Sequence, residues 1–201
     1  MTFNFEYQKS DYQWDWGLPS VSPEIFRVPI SRNLGEPDID DATAQTTRIS
    51  YILEHQLSEN WKFRNQFSAI LSILDNRRVT PLSIQEDRRT IDHFADSSYD
   101  SDSQSYTLQN EVIGKFQTGS VAHQVLLGVE LLRRRDSLEG FGFDGPVKTS
   151  IDLFNPVYGL EGKFFSTGKP SINVSDGLGL YVQDQITLLE NLKLLLGGRF
   201  D

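Results

Sequence analysis

The chain has 201 residues, 38% of them hydrophobic, a formal net charge of −9 and no cysteine, which excludes a disulfide framework and thiolate metal sites. The acidic balance, with no basic stripe, speaks against nucleic acid as a partner. Mean hydropathy is −0.38, and no run approaches the roughly 18 apolar residues that a membrane-crossing helix needs, although a transmembrane barrel escapes that test because only alternate residues meet lipid.

From the N-terminus, Met1, Phe3, Phe5 and Tyr7 alternate with Thr2, Asn4, Glu6 and Gln8, the period of two of a strand with one apolar face. Met1 opens directly onto this pattern, without the charged and apolar regions of an export signal, so a trimmed or partial chain is expected. Residues 10–45 are rich in Pro, Asp, Gly and Ser and read as a long loop. A second strand follows from Thr46, with Ile49, Tyr51, Leu53, His55 and Leu57 on the apolar side and Arg48, Ser50, Glu54 and Gln56 opposite. After a short turn at residues 58–60, the third strand places Trp61, Phe63, Phe67 and Ala69 against Lys62, Arg64, Gln66 and Ser68, with Asn65 as the misfit.

A second long loop is expected over residues 75–102, including a Ser/Asp run at residues 96–103. Strand four then alternates Tyr106, Leu108, Val112 and Phe116 with Thr107, Gln109, Glu111, Lys115 and Gln117. It turns at residues 118–120 into strand five, which carries Val121, His123, Val125, Leu127, Val129 and Leu131 opposite Gln124, Gly128 and Glu130 and closes at Arg133, Arg134 and Arg135. A third long loop is expected over residues 136–176, in which the Gly140-Phe141-Gly142-Phe143 run reads as punctuation and not as a phosphate-binding loop. The last hairpin, residues 177–201, sets Leu178, Leu180, Val182, Ile186 and Leu188 against Gly179, Tyr181, Gln183, Gln185 and Thr187. It resumes after residues 189–191 with Leu192, Leu194, Leu196 and Phe200. Asp184 falls on its apolar face and Leu195 on its polar one, which suggests a local bulge or a position at a membrane boundary.

Connections therefore alternate long and short. Outer-membrane barrels do this, with short turns on the periplasmic side and long loops outside, and strands of about 9 to 11 residues suffice for a tilted crossing. The expected fold is all-β: an antiparallel up-and-down transmembrane β-barrel, here a partial barrel of about seven strands, since an unclosed sheet would leave backbone groups unpaired in lipid.

Several segments resemble the TonB-dependent siderophore receptors, in particular the ferrichrome and hydroxamate branch. They are Tyr7-Gln8-Lys9, residues 11–19 (DYQWDWGLP), Val28-Pro29, residues 34–37 (LGEP), residues 123–130 (HQVLLGVE), residues 151–159 (IDLFNPVYG), and residues 179–201 with YVQDQ and LLLGGRFD. The likeness covers residues 1–201 as one partial barrel domain. It implies a 22-stranded barrel filled by an N-terminal plug that imports a ferric siderophore of the hydroxamate class, with energy passed through the TonB complex to the plug region. It implies the outer membrane of a Gram-negative-type bacterium as location, with lipid and lipopolysaccharide as neighbours. Neither the plug nor the last strands fall within these residues, so the chain is expected to be a consecutive slice that does not transport by itself.

Tyr12, Trp14 and Trp16, just above the first strand, are the candidate substrate-binding residues. Rigid aromatic faces with a polar tip suit a chelate whose metal is already saturated, while the bland alternative is an interfacial girdle. If the strand continues without a bulge, all three share the side of Thr2, Asn4, Glu6 and Gln8, the lumen. Trp61 and Tyr106 read as interfacial anchors. His55, His93 and His123 have no ligand spacing, and no metal site or cofactor is expected beyond the iron that the chelate brings. Arg77, Arg78 and Arg133 to Arg135 lie at loop bases, where a solvated cluster competes with pairing to lipopolysaccharide phosphates or an anionic chelate. The acidic pairs Asp40-Asp41 and Glu86-Asp87 lack the accompanying groups of an enzyme site, so no catalytic residue is assigned. Alternatives to a receptor are a passive porin-like channel or structural barrel, and a soluble antiparallel adhesion module.

Overall fold

The computed structural model describes residues 1–14, 16–18, 28–95 and 98–201. Among them every regular element is a strand: β1 (Thr2–Tyr12), β2 (Asp41–Gln56), β3 (Trp61–Arg77), β4 (Thr80–Ile84), β5 (Thr90–Phe94), β6 (Ser98–Thr118), β7 (Val121–Phe143), β8 (Lys148–Asp152), β9 (Phe164–Ser166), β10 (Ser171–Leu189) and β11 (Leu192–Phe200). Seven form one antiparallel meander in the order β1-β2-β3-β6-β7-β10-β11, with short β9 added against the end of β7. These are the seven strands the alternation predicts. Their three short turns lie on one rim and their long connections on the other. At the 118–121 turn Gly119 adopts φ +63°, a left-handed conformation in which a side chain would be strained.

Directly paired residues share a face, so the register sorts the sheet into rows. One row runs Phe3, Tyr51, Phe67, Leu108, Leu131, Leu178. Two rows along on the same face run Phe63, Val112, Leu127 and Val182. Trp61 lies on this apolar face near the short turns and Tyr106 near the opposite edge, the placement of two interfacial girdles. On β7 the apolar positions span residues 121–131, which at ~3.3 Å per residue and a tilt of ~45° climb roughly 25 Å, the height of a barrel's lipid-facing band.

The polar misfits have partners. Asn65 is paired with Asn110 and its Nδ2 donates to Asn110 Oδ1 at 2.8 Å. Asp184 Oδ2 lies 2.7 Å from His123 Nδ1, and the His123 ring stacks on Phe116 with 4.8 Å between centroids. The β10–β11 register shifts between Thr187 and Leu189, next to the turn. That bulge lies beyond both Asp184 and Leu195, and Leu195 is paired on the polar face with Gln185.

On the polar face, charges meet across strands. Glu111, almost fully buried, accepts from Arg64 Nε at 2.5 Å and from Tyr181 Oη at 2.8 Å. Glu130 accepts from Arg199 Nη2 at 2.7 Å and Gln109 Nε2 at 2.5 Å, and Lys62 pairs with Glu54 at 2.8 Å. Gly128 makes the first of these networks possible: it sits opposite Tyr181, and a Cβ there would collide with the Tyr181 ring.

The expected long loops are corrected in two respects. First, the barrel strands continue far past the apolar band: β3 to Arg77, β6 from Ser98, β7 to Phe143 and β10 from Ser171, so Gly140 to Phe143 are strand. Once a strand leaves lipid both faces are free to be polar, so alternation fades while the hydrogen-bonded ladder goes on. Second, the connections fold on each other. β4, β5 and β8 form a second, three-stranded sheet over a core of Val28, Leu34, Ile91, Ile151 and Leu153, beside a smaller core of Val79, Ala95 and Phe143.

Buried carboxylates tie these connections together. Asp40 accepts from the backbone N–H of Glu36 at 2.9 Å and of Val79 at 2.5 Å. Glu36 Oε2 accepts from Gly159 N at 3.0 Å, and Tyr158 Oη donates to Asn33 O at 2.9 Å. Of the acidic pairs, Asp40 and Asp87 are thus engaged in structural bonds. Asp87 closes a turn by accepting from Arg89 N, Thr90 N and Thr90 Oγ1.

Candidate ligand-binding site

β1 runs without a register break to Tyr12, which pairs with Ala42, so Tyr12 keeps the polar-face parity of Asn4 and Glu6. The same row continues through Asn76, Tyr99 and Gly140. Beyond β1 the aromatic series stays together. Tyr12 and Trp14 meet edge to face with 5.7 Å between centroids, and Trp14 and Trp16 stack at 5.9 Å with 21° between planes. Trp16 Nε1 donates to Val79 O at 3.2 Å, which anchors its ring to the connection after β3. Of the neighbouring segment, Asp15 and Pro19 lie outside the described residues.

The residue that sequence reasoning left at a loop base is drawn into this group. Arg78 Cζ lies 5.5 Å from the Trp14 ring centroid, 5.4 Å from that of Trp16 and 5.8 Å from that of Tyr99, within cation–π range of all three. Its backbone N–H donates to Ser98 Oγ at 3.0 Å. Arg77 takes the other face: it pairs with both oxygens of Asp100, at 2.5 and 3.1 Å, and lies 3.7 Å over the Phe141 ring. Arg133 pairs with Asp176 at 3.6 Å and Arg134 with Asp136 at 2.7 Å, both exposed, so these loop-base cations belong to screened surface pairs.

Three buried polar groups of the cluster make no hydrogen bond among the described residues: Trp14 Nε1, Arg78 Nε and the side-chain amide of Asn76. Asn76 is fully buried. Trp16 also lines a cavity of about 310 Å³ together with Leu18, Leu34, Pro81, Leu82 and Ile91. The site is therefore a cationic centre set in aromatic faces at the foot of the long connections. It can grip a ligand by ring contact and attract negative charge, and among the described residues it holds no arrangement of nucleophile, base and acid.

The spacing of Tyr12, Trp14 and Trp16 marks them as candidates, and the structure brings their rings together. Tyr99 had a weak signal, an aromatic inside a Ser/Asp run. Asn76 and the placement of Arg78 had none, because both depend on β3 continuing past the apolar band.

Comparison with known proteins agrees with this architecture. The family model described as "TonB dependent receptor-like, beta-barrel" matches residues 1–201. The chain is 29% identical over 190 residues to a metal-pseudopaline receptor of Pseudomonas aeruginosa, covering 94% of this chain and 27% of that protein. It is 24% identical over 167 residues to the ferrioxamine B receptor of Salmonella typhimurium, covering 83% of this chain and 23% of that one. Among solved structures, the siderophore receptor PiuA of Acinetobacter baumannii superposes with a TM-score of 0.82 at 18% identity, over 98% of this chain and 32% of that chain, a likeness of fold. The chain thus spans about a quarter of the length of these curated relatives.

Proposed function

We propose that this chain, which belongs to the TonB-dependent receptor β-barrel family, forms part of the wall of an outer-membrane receptor that captures a ferric siderophore and imports it with energy relayed through TonB. The reading places it in the outer membrane of a Gram-negative-type bacterium, with the short turns periplasmic and the long connections outside. The apolar face then meets lipid, Arg133 and Arg135 stand at the level of lipopolysaccharide phosphates, and the charged polar face lines a lumen that holds a plug. No catalytic step is part of this function.

The observation that carries the reading is the packing of Trp14 on Tyr12, which keeps the lumen parity of β1, and of Trp16 on Trp14, at the foot of the outer connections. Rings packed on one another and tied to the backbone at Val79 lose little conformational freedom on binding, and they give contact area to a chelate without competing for its metal. The ligand class we assign is the hydroxamate type, supported by the segments shared with that branch and by similarity to the ferrioxamine B receptor.

The test is a Trp14→Ala, Trp16→Ala double change in the receptor that carries this segment, with ferric trihydroxamate binding measured by calorimetry and outer-membrane abundance by immunoblot. Binding should weaken at least tenfold, about 1.4 kcal/mol, at unchanged abundance. Unchanged affinity returns these rings to a girdle role, and a wild-type barrel that binds no chelate and passes small solutes indicates a passive channel.

A further inference from the structure

Among the described residues the guanidinium of this site has aromatic neighbours and no acidic partner. Arg48, Arg64, Arg77, Arg89, Arg133, Arg134 and Arg199 each engage a carboxylate within 4 Å. Arg78, like Arg32, Arg88 and Arg135, forms no ion pair among the described residues, in a chain whose net charge is −9; what sets Arg78 apart is the set of aromatic rings around it. It is half-buried, and the rings of Trp14, Trp16 and Tyr99 occupy its surroundings.

Ring faces stabilise a guanidinium through its π-cloud but accept none of its N–H bonds in the way that a carboxylate does. Removing water from a charge without supplying a counter-charge is costly, and orphaned donors next to it add to that cost. The donors here are Arg78 Nε, Trp14 Nε1 and the Nδ2 of fully buried Asn76. What such a group lacks is an acceptor-rich anion with a planar edge, the shape that a guanidinium binds with two parallel bonds.

We propose that Arg78 selects the ligand by charge: the site takes a ferric chelate that presents a carboxylate or an equivalent anionic oxygen pair on its outer surface, and disfavours one that presents an ammonium group there. The anionic edge rests on Arg78 while the apolar flank of the chelate lies on Trp14 and Trp16. This rests on the siderophore reading above and adds to it the sign of the charge the ligand carries away from its iron. A neutral chelate makes the ring contacts alone.

The experiment uses the receptor that carries this segment and one linear ferric trihydroxamate scaffold in three forms, ending in an ammonium, a neutral amide or a succinyl carboxylate. Affinities are measured by calorimetry for wild type, Arg78→Gln and Arg78→Lys, each first checked for outer-membrane abundance. Wild type should bind the carboxylate form at least about tenfold more tightly than the ammonium form. Arg78→Gln should abolish that preference while changing affinity for the neutral form less than about threefold. Arg78→Lys should retain part of it, because the charge remains but the bidentate edge is gone.

A wild type that binds all three forms equally, or an Arg78→Gln receptor that keeps the preference, overturns the inference and leaves the siderophore reading standing. Failure of wild type to bind any form overturns both. If Arg78→Gln fails to accumulate, the Arg78→Lys receptor decides: an undiminished preference for the carboxylate form would show that the guanidinium edge does not read it.

Discussion

Asn65 and Asn110 face each other across β3 and β6 in the middle of the apolar band, joined by a 2.8 Å hydrogen bond between their side-chain amides. The rows on either side carry Phe63 with Val112 and Phe67 with Leu108, so the amide pair sits where a barrel faces hydrocarbon. Each residue makes the other tolerable.

Changing one member leaves an amide without its partner in an apolar setting, a loss of about 1–3 kcal/mol, whereas replacing both by apolar groups removes the need for either. Asn65→Leu and Asn110→Leu should each lower the stability of the receptor folded into vesicles, and the double change should return it to at least the wild-type value. The check is urea unfolding of all four proteins. Additive losses in the double variant would show that the two amides act independently.

The register places Leu127 in the apolar band and Gln124 on the polar face. An Arg near the midplane of the lipid face costs about 2–4 kcal/mol, and one facing a lumen costs far less. Leu127→Arg should therefore reduce assembled barrel in the outer membrane strongly, and Gln124→Arg only slightly. Heat-modifiable gel mobility reads the folded fraction, and equal tolerance of the two changes would contradict the assignment of faces.

The sheet over the long connections should respond to pH through two groups of opposite sign. Burial raises the Asp40 carboxyl from 3.8 to about 6, against the two backbone N–H groups that favour its charged form. The folded state then holds a proton that the unfolded chain has released, so Asp40's contribution is full below pH ~4 and is lost as pH rises towards 6, on the order of 3 kcal/mol. His93 lies fully buried in β5, and burial lowers its pKa from 6.5 against the charges of Glu36 and Asp92. Its contribution is full above pH ~6.5 and is lost as pH falls below that value. Hydrogen exchange at Val79 and along β5 should show both arms. Asp40→Asn should flatten the change between pH 4 and 6 while exchanging faster throughout, because one of its two acceptors is gone. His93→Leu should remove the loss below pH 6.5, and an unchanged acid arm in that variant would assign it to another group.

How far the sequence could be read follows from where the chain meets two solvents. Between the short turns and Arg133, each strand sets an apolar face against a polar one, as a barrel wall between lipid and lumen requires. That difference writes a period of two into residues such as Leu127 and Gly128, or Val182 and Gln183. The strand count, the faces, the alternation of short and long connections and the aromatic trio Tyr12, Trp14 and Trp16 could all be read from it. Segment likeness added the family.

Only the tertiary structure decided the rest. Above the apolar band both faces meet water or protein, so the pattern vanishes at Asp136 although β7 continues to Phe143. Whether a polar residue on the apolar face is a fault or half of a pair depends on register, and His123 and Asp184 are 61 residues apart. Arg78 reads as one more loop-base cation until β3 carries it past the apolar band to Trp14, Trp16 and Tyr99. Local spacing fixes which face a side chain takes, whereas the partner it finds there depends on contacts between distant parts of the chain.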